Sequence, residues 1–294
     1  MAKNIAYRLF SVSEMFHSVK ISTANKKTQG IRKEVYACKK RIRVISTIIT
    51  LVIVFSLIVL VIYCLASYFS GFNSATNEND SVTSDNSFRA ALIDALYSTH
   101  PNEEFTKSFN KTLSDAGFEV DIFQGTQVTV DFLKKLPKGY KLIILRMHSA
   151  LGSNNQLYLF TAEPYSVGKY AQEQYFQLVK AAYATENSQP VFAVNWAFIK
   201  RCMTGKFNGT LVVMMGCDGT LDQLMIEEFL NQGAVGYVAW NGPVSLSHSD
   251  EAILYLTHLL YIEKMPLNEA VEKTNSQIGE DPNWGCILEL YVPQ

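Results

Sequence analysis

A histidine and a cysteine in this 294-residue chain each follow a short apolar run. His148 and Ser149 come directly after Leu142-Ile143-Ile144-Leu145-Arg146-Met147, and Cys217-Asp218-Gly219 follows Thr210–Met215 and Gly216. A third run, Val235–Trp240, ends at Asn241-Gly242. Runs of this kind read as strands buried on both faces of a parallel sheet. Open parallel sheets carry their chemistry just past the carboxyl ends of their strands. If the first two runs are neighbours, about 4.8 Å apart, His148 and Cys217 project into one crevice. A thiol beside an imidazole is the minimal equipment for acyl transfer from an amide. Cys217 is also expected just before a helix, whose N-terminal dipole favours the thiolate, with Asp218 opposing that effect.

Each residue has a plainer reading when taken singly. A cysteine ending a buried strand serves as a small core hydrophobe, and a histidine after a strand serves as a hydrogen-bonded turn residue. The pairing at successive strand ends is what raises the catalytic reading. His248 follows the third strand end and is a minor candidate for the same mouth. His17 falls in the N-terminal tail, His100 in an early loop and His258 on a helix surface. Arg146 shares a strand face with His148 and cannot stay buried unpaired. Its expected role is a structural ion pair, with Glu163 or an acid near Asp218, the other being a hold on a substrate carboxylate.

The elements that must position these residues alternate between periods of two and 3.6. A helical stretch opens at Asn102-Glu103 and runs to Asp115, and Phe118–Phe123 alternates like a strand. Thr129–Leu136 reads as a second helix, Gln156–Phe160 as a hairpin arm, and a Tyr-rich stretch around Lys169–Tyr183 as a helix. Leu221–Leu230 is a helix capped by Gln232-Gly233, helices follow at Ser249–Glu263 and Leu267–Ile278, and Ile287–Val292 closes as a strand. This alternation predicts a three-layer α/β sandwich with a mostly parallel sheet over residues 88–294.

Ahead of that domain the composition changes sharply. Residues 1–43 carry eleven Lys and Arg against two acids, a net +9, while the remainder, with 15 basic and 25 acidic residues, carries −10. Between them, residues 44–69 hold no charged side chain, long enough for a tilted transmembrane helix. Basic residues abut its start, so the positive-inside rule places residues 1–43 in the cytoplasm and the C-terminal domain outside a cell membrane crossed once. The tail repeats Ile5, Leu9, Val12, Phe16 and Val19 at helical spacing. It is either a helix lying on the anionic inner leaflet, making membrane lipid a partner, or a tail whose work is orientation. Residues 70–87, rich in Asn, Ser, Asp and Thr, read as a flexible stalk. Asn79, Asn110 and Asn208 each open an Asn-x-Ser/Thr triplet, in keeping with an external domain.

The composition also excludes several classes. An apolar fraction of 48% with 18% charged residues rules out a wholly disordered chain. No His-Glu-x-x-His, paired Cys-x-x-Cys or Gly-rich phosphate loop occurs, so no metal or cofactor is expected. The acidic outer domain argues against nucleic acid. A Cys202–Cys286 disulfide is an option that would leave Cys217 free.

The succession LIILRMHS, LVVMMGCDG and FLNQGAVGYVAWNGPVS resembles the caspase-like cysteine peptidase superfamily, in particular its CHAT and gingipain-type members and their archaeal relatives. Gly233-Ala234, Trp240 and the helix holding Leu267, Glu269 and Ala270 extend the likeness over roughly residues 89–292. The resemblance implies a hydrolase that cuts peptide or protein substrates, with Cys217 as nucleophile and His148 as base and proton donor. It implies an oxyanion held by backbone N–H groups of Cys217 and of the residue after the histidine, here Ser149 where the family has Gly. Met215, two residues before the cysteine, is implied to line the pocket for the side chain preceding the cut, with Trp240 and Asn241 near it, and its apolar character implies a neutral or apolar preference. The rival expectation is a catalytically silent caspase-like domain that serves as an extracytoplasmic binding or sensor module.

Overall fold

The computed structural model describes residues 53–56, 58–59, 88–136 and 138–293. The chain divides into two compact units, Met1–Thr83 and Ser84–Gln294. The basic tail, the stalk and most of the apolar run lie outside the described residues, as does Asn79. Residues 53–56 and 58–59 are helical, with Ile53, Val54, Phe55, Ile58 and Val59 all exposed. Among the described residues no helix is long and apolar enough to cross a membrane.

The C-terminal unit is an α/β domain built on two sheets. Six strands form the first: β1 (Phe88–Asp94), β2 (Phe118–Gln124), β3 (Leu142–Arg146), β8 (Thr210–Met214), β9 (Ala234–Trp240) and β10 (Leu288–Tyr291). Their spatial order is β10-β9-β8-β3-β1-β2. Every adjacent pair is parallel except β9 and β10, which run antiparallel. The apolar runs account for this: all five residues of β3 and all five of β8 are buried, because helices cover both faces.

The helices divide between two cores. Helix α1 (Glu103–Asp115), α6 (Leu246–Tyr261) and α7 (Leu267–Ile278) join the core that holds Ile144, Val213 and Trp240. Helix α4 (Trp196–Cys202) and α5 (Gln223–Asn231) join the opposite one, with Leu145, Met214 and Tyr237. Helix α1 shows why such pieces form. The Asn102 side chain accepts the Phe105 N–H at 3.0 Å, a cap worth about 1 kcal/mol. Phe105, Phe109 and Leu113 then recur on one face and are buried, each contributing about 1.5–3 kcal/mol.

The second sheet, antiparallel with order β4-β5-β7-β6, comprises β4 (Ser149–Leu151), β5 (Leu157–Pro164), β6 (Val179–Ala182) and β7 (Val191–Val194). Here the structure corrects the Tyr-rich helix expected around Lys169–Tyr183. Between the five-residue α2 (Val130–Lys134) and α4 there is only the short helix α3 (Ala171–Tyr175), which buries no residue. Gln177 then turns the chain with φ 56°, and Val179–Ala182 pairs with β7. Sheet pairing in this stretch overrides its local helical pattern.

Candidate functional site

The site forms where β3 and β8 end side by side. Leu145 registers with Met214, and the Met215 N–H donates to the Leu145 carbonyl at 2.9 Å. His148 and Cys217 each lie three residues beyond that last registered pair. The backbones stay close beyond the last ladder bond. A Cβ on Gly216 would fall 2.5 Å from the Met147 carbonyl oxygen and 2.3 Å from Ser149 Oγ. The Ser149 hydroxyl donates to the Cys217 carbonyl, a clasp between residues 68 apart in sequence.

His148 turns from the end of one sheet into the start of the other, its carbonyl accepting the Phe160 N–H at 2.9 Å. Its ring meets His100 edge-on at 5.7 Å between centroids and Phe160 at 6.2 Å. Its Nε2 is buried with no hydrogen-bond partner. Burial holds the imidazole below its ordinary pKa of 6.5, and the neighbouring His100 and Arg146 push the same way. At neutral pH the ring is therefore uncharged and able to accept a proton.

Cys217 is half-buried, and its sulfur faces the segment after β9. It accepts the Val244 N–H at 3.5 Å and lies 3.9 Å from the Val244 carbonyl. Burial raises the thiol above its ordinary 9.0, the Val244 bond opposes this, and Asp218 adds to the rise. Asp218 sits in the left-handed region (φ 60°), with its N–H on the Gly242 carbonyl at 2.9 Å. The expectation that a helix begins at once is corrected. Helix α5 starts at Gln223, capped by Asp222, so a turn separates the thiol from any helix dipole. No hydrogen bond joins Cys217 to His148 among the described residues. At rest the pair is a neutral thiol and a neutral imidazole.

Two backbone donors lie at this junction. Ser149 stands opposite Leu159 on edge strand β4, and the ladder bond from Phe160 to His148 flanks that pair. Ser149 is therefore at a non-hydrogen-bonded position, and its own N–H points away from β5. The Cys217 N–H donates to no backbone carbonyl among the described residues.

Arg146 is only 2% exposed and wholly engaged in an ion-pair network. Its Nε and Nη2 grip Asp250 at 2.8 and 2.9 Å, and Nη1 reaches Asp94 at 3.0 Å and the His100 carbonyl at 3.1 Å. Asn102 joins by donating to Asp250 at 2.9 Å. The structural role holds, but the partners are neither Glu163 nor an acid near Asp218. Glu163 faces Lys169, Tyr170 and the Val130 N–H instead. Asp94 itself is fully buried, and burial pushes its carboxyl upward against the pull of Arg146.

The residues expected around a pocket fall differently. Met215 and Trp240 are 4% and 1% exposed and belong to the core. Trp240 Nε1 donates to Ser249 Oγ at 3.0 Å, and Ser249 in turn donates to the Met215 carbonyl at 3.1 Å. Asn241 pins the closing strand: its side chain takes the Ile287 N–H at 3.0 Å and donates to Glu289 at 3.1 Å. His248 lies on α6 with its ring 5.4 Å from that of Trp240. Cys202 and Cys286 are free and pack into opposite cores, so the sheet separates them and they form no disulfide.

A cavity of about 440 Å³ adjoins His148, between the β1–α1 loop, β5 and the segment before β7. His100 lines it too, and sequence reasoning passed over His100 as a loop residue. Its signal was available: His100 follows the carboxyl end of β1, a neighbour of β3. A groove of about 580 Å³ at the amino ends of the strands, walled by Phe88, Phe118, Leu211 and Val235, contains no His or Cys. Among the described residues no cluster of three or more His, Cys, Asp or Glu could hold a metal ion.

Fold and site together define an α/β domain with a cysteine and a histidine just past the carboxyl ends of adjacent parallel strands. No protein-family model matches the chain, and no characterised protein matches it in sequence.

Proposed function

We propose that the chain is a membrane-anchored, caspase-like cysteine peptidase that hydrolyses peptide bonds through Cys217 and His148. The observation that carries this reading is the register of β3 with β8, which brings the two residues to one strand-end junction. In the proposed cycle the thiol leaves Val244 by rotation about χ1, and uncharged His148 takes its proton as sulfur attacks the peptide carbonyl. The Ser149 and Cys217 N–H groups meet the developing oxyanion. His148 then gives the proton to the departing amine, and water hydrolyses the thioester. No cofactor enters the scheme. The exposed apolar side chains of Ile53, Val54, Phe55, Ile58 and Val59 and the charge-free run around them support a single-pass anchor.

One observation favours a silent binding domain instead: the resting thiol bonds to Val244, not His148, and its pKa is raised. Labelling of the full chain in detergent with a peptidyl acyloxymethyl ketone separates the two. The peptidase reading expects selective modification of Cys217 that is lost in His148→Ala. Labelling no faster than a free thiol, with no peptide cleavage, leaves the silent domain.

A further inference from the structure

We propose that the cavity beside His148 receives the side chain that follows the cleaved bond in the substrate, and that this side chain is uncharged. The inference rests on the peptidase reading and deepens it. Position is the first argument. His148 lines the cavity and Cys217 does not. The sulfur joins the acyl half of the substrate, while the proton from His148 must reach the amine half. A hollow on the histidine side of the junction therefore adjoins the residue that carries the leaving amine.

Lining is the second argument. Leu96, Phe160 and Val191 supply apolar wall, and Thr99, Ser188 and Gln189 supply uncharged polar groups. No Lys, Arg, Asp or Glu lines the cavity. Arg146, which bonds the carbonyl of the lining residue His100, is spent on Asp94 and Asp250. A charged side chain would meet no carboxylate, Lys or Arg in the lining to offset its partial loss of hydration against the apolar wall, a penalty that neutral side chains escape. A volume near 440 Å³ lies within the range of built small-molecule sites and leaves room for an aromatic or branched residue.

The test uses the full chain in detergent and peptidyl epoxides that alkylate Cys217, identical except for the group beyond the epoxide on the amine side. One carries a benzyl amide, one a lysine amide and one an aspartate amide. The benzyl reagent should react about tenfold faster than either charged reagent, the scale of one well-filled apolar pocket. Ala162 lines the cavity from β5, and filling it with Ala162→Trp should erase that advantage and leave the iodoacetamide rate at Cys217 unchanged. Gln189→Glu, at an exposed position that tolerates charge, should speed the lysine reagent about threefold. Equal rates for all three reagents, or a benzyl advantage unaffected by both variants, would overturn the cavity assignment and leave the peptidase reading standing. If no epoxide alkylates Cys217 faster than a free thiol, the peptidase reading falls and the assignment with it.

Discussion

His148 and Cys217 are tuned in opposite directions, and each direction has a measurable sign. The folded His148 titrates below 6.5, so above that pH its environment costs nothing. As pH falls below 6.5 the unfolded ring gains a proton before the folded one does, and stability declines. Unfolding of the wild type in urea should show this acid-side loss, and His148→Gln should lack the part due to the ring. Peptide cleavage should fall only at lower pH, where the folded ring itself takes up a proton and accepts nothing from sulfur. Asp218 bears on the thiol. Replacing it with Asn, which tolerates left-handed backbone, removes a negative charge that raises the Cys217 pKa. The thiolate fraction should increase, and iodoacetamide labelling at pH 8 should accelerate about two- to fivefold. A rate that stays the same would mean that the Asp218 charge does not reach the sulfur. The types of both residues were legible in the sequence, but the Val244 bond was not, since it depends on how the chain turns after β9.

At the scale of elements, the site depends on how tightly the ends of β3 and β8 abut and how β3 is tied to β1, α6 and the His100 loop. Gly216→Ala would force its new Cβ into the Met147 carbonyl and Ser149, parting β3 from β8. The expected cost is about 1–3 kcal/mol, the usual scale for overpacking, read from denaturant unfolding with Cys217 labelling slowed in parallel. Arg146 ties the ends of β1 and β3 to α6 and to the loop that carries His100. Arg146→Leu would leave two buried carboxylates without their cation and should cost about 3–5 kcal/mol. Substituting both carboxylates along with Arg146 should recover part of that loss, and calorimetry of the single and triple variants would show it. Strands β3, β8 and β9 were readable as apolar runs, and α1 and α7 as periodic ones. The helix expected after Lys169 failed because its second half found a strand partner in β7. Such pairing is non-local and leaves only a weak local trace.

For the molecule as a whole, the near-neutral charge of −1 conceals +9 before residue 44 and −10 from there on. With the proposed span between them, the full chain should sediment with membranes, resist alkaline carbonate extraction and need detergent for release. Residues 84–294 form a compact unit of their own, and a chain lacking residues 1–83 should remain in the soluble fraction with a cooperative melt. Recovery of the full chain in the carbonate wash would remove the anchor. Asn110 and Asn208 are both exposed, as the proposed external placement requires of glycosylated positions.

The sequence by itself determined the charge division, the uncharged run, the alternating elements and the two residues at strand ends. These are local patterns of period and composition, and neighbouring residues carry them. Tertiary structure alone decided that Arg146 belongs to Asp94 and Asp250, which lie 52 and 104 residues away. It also set His100 against His148, buried Met215 and Trp240, and gave the Cys217 sulfur to Val244. Those outcomes depend on which strand ends and loops pack together, because a buried charge or polar atom is satisfied by whatever group the fold brings within reach.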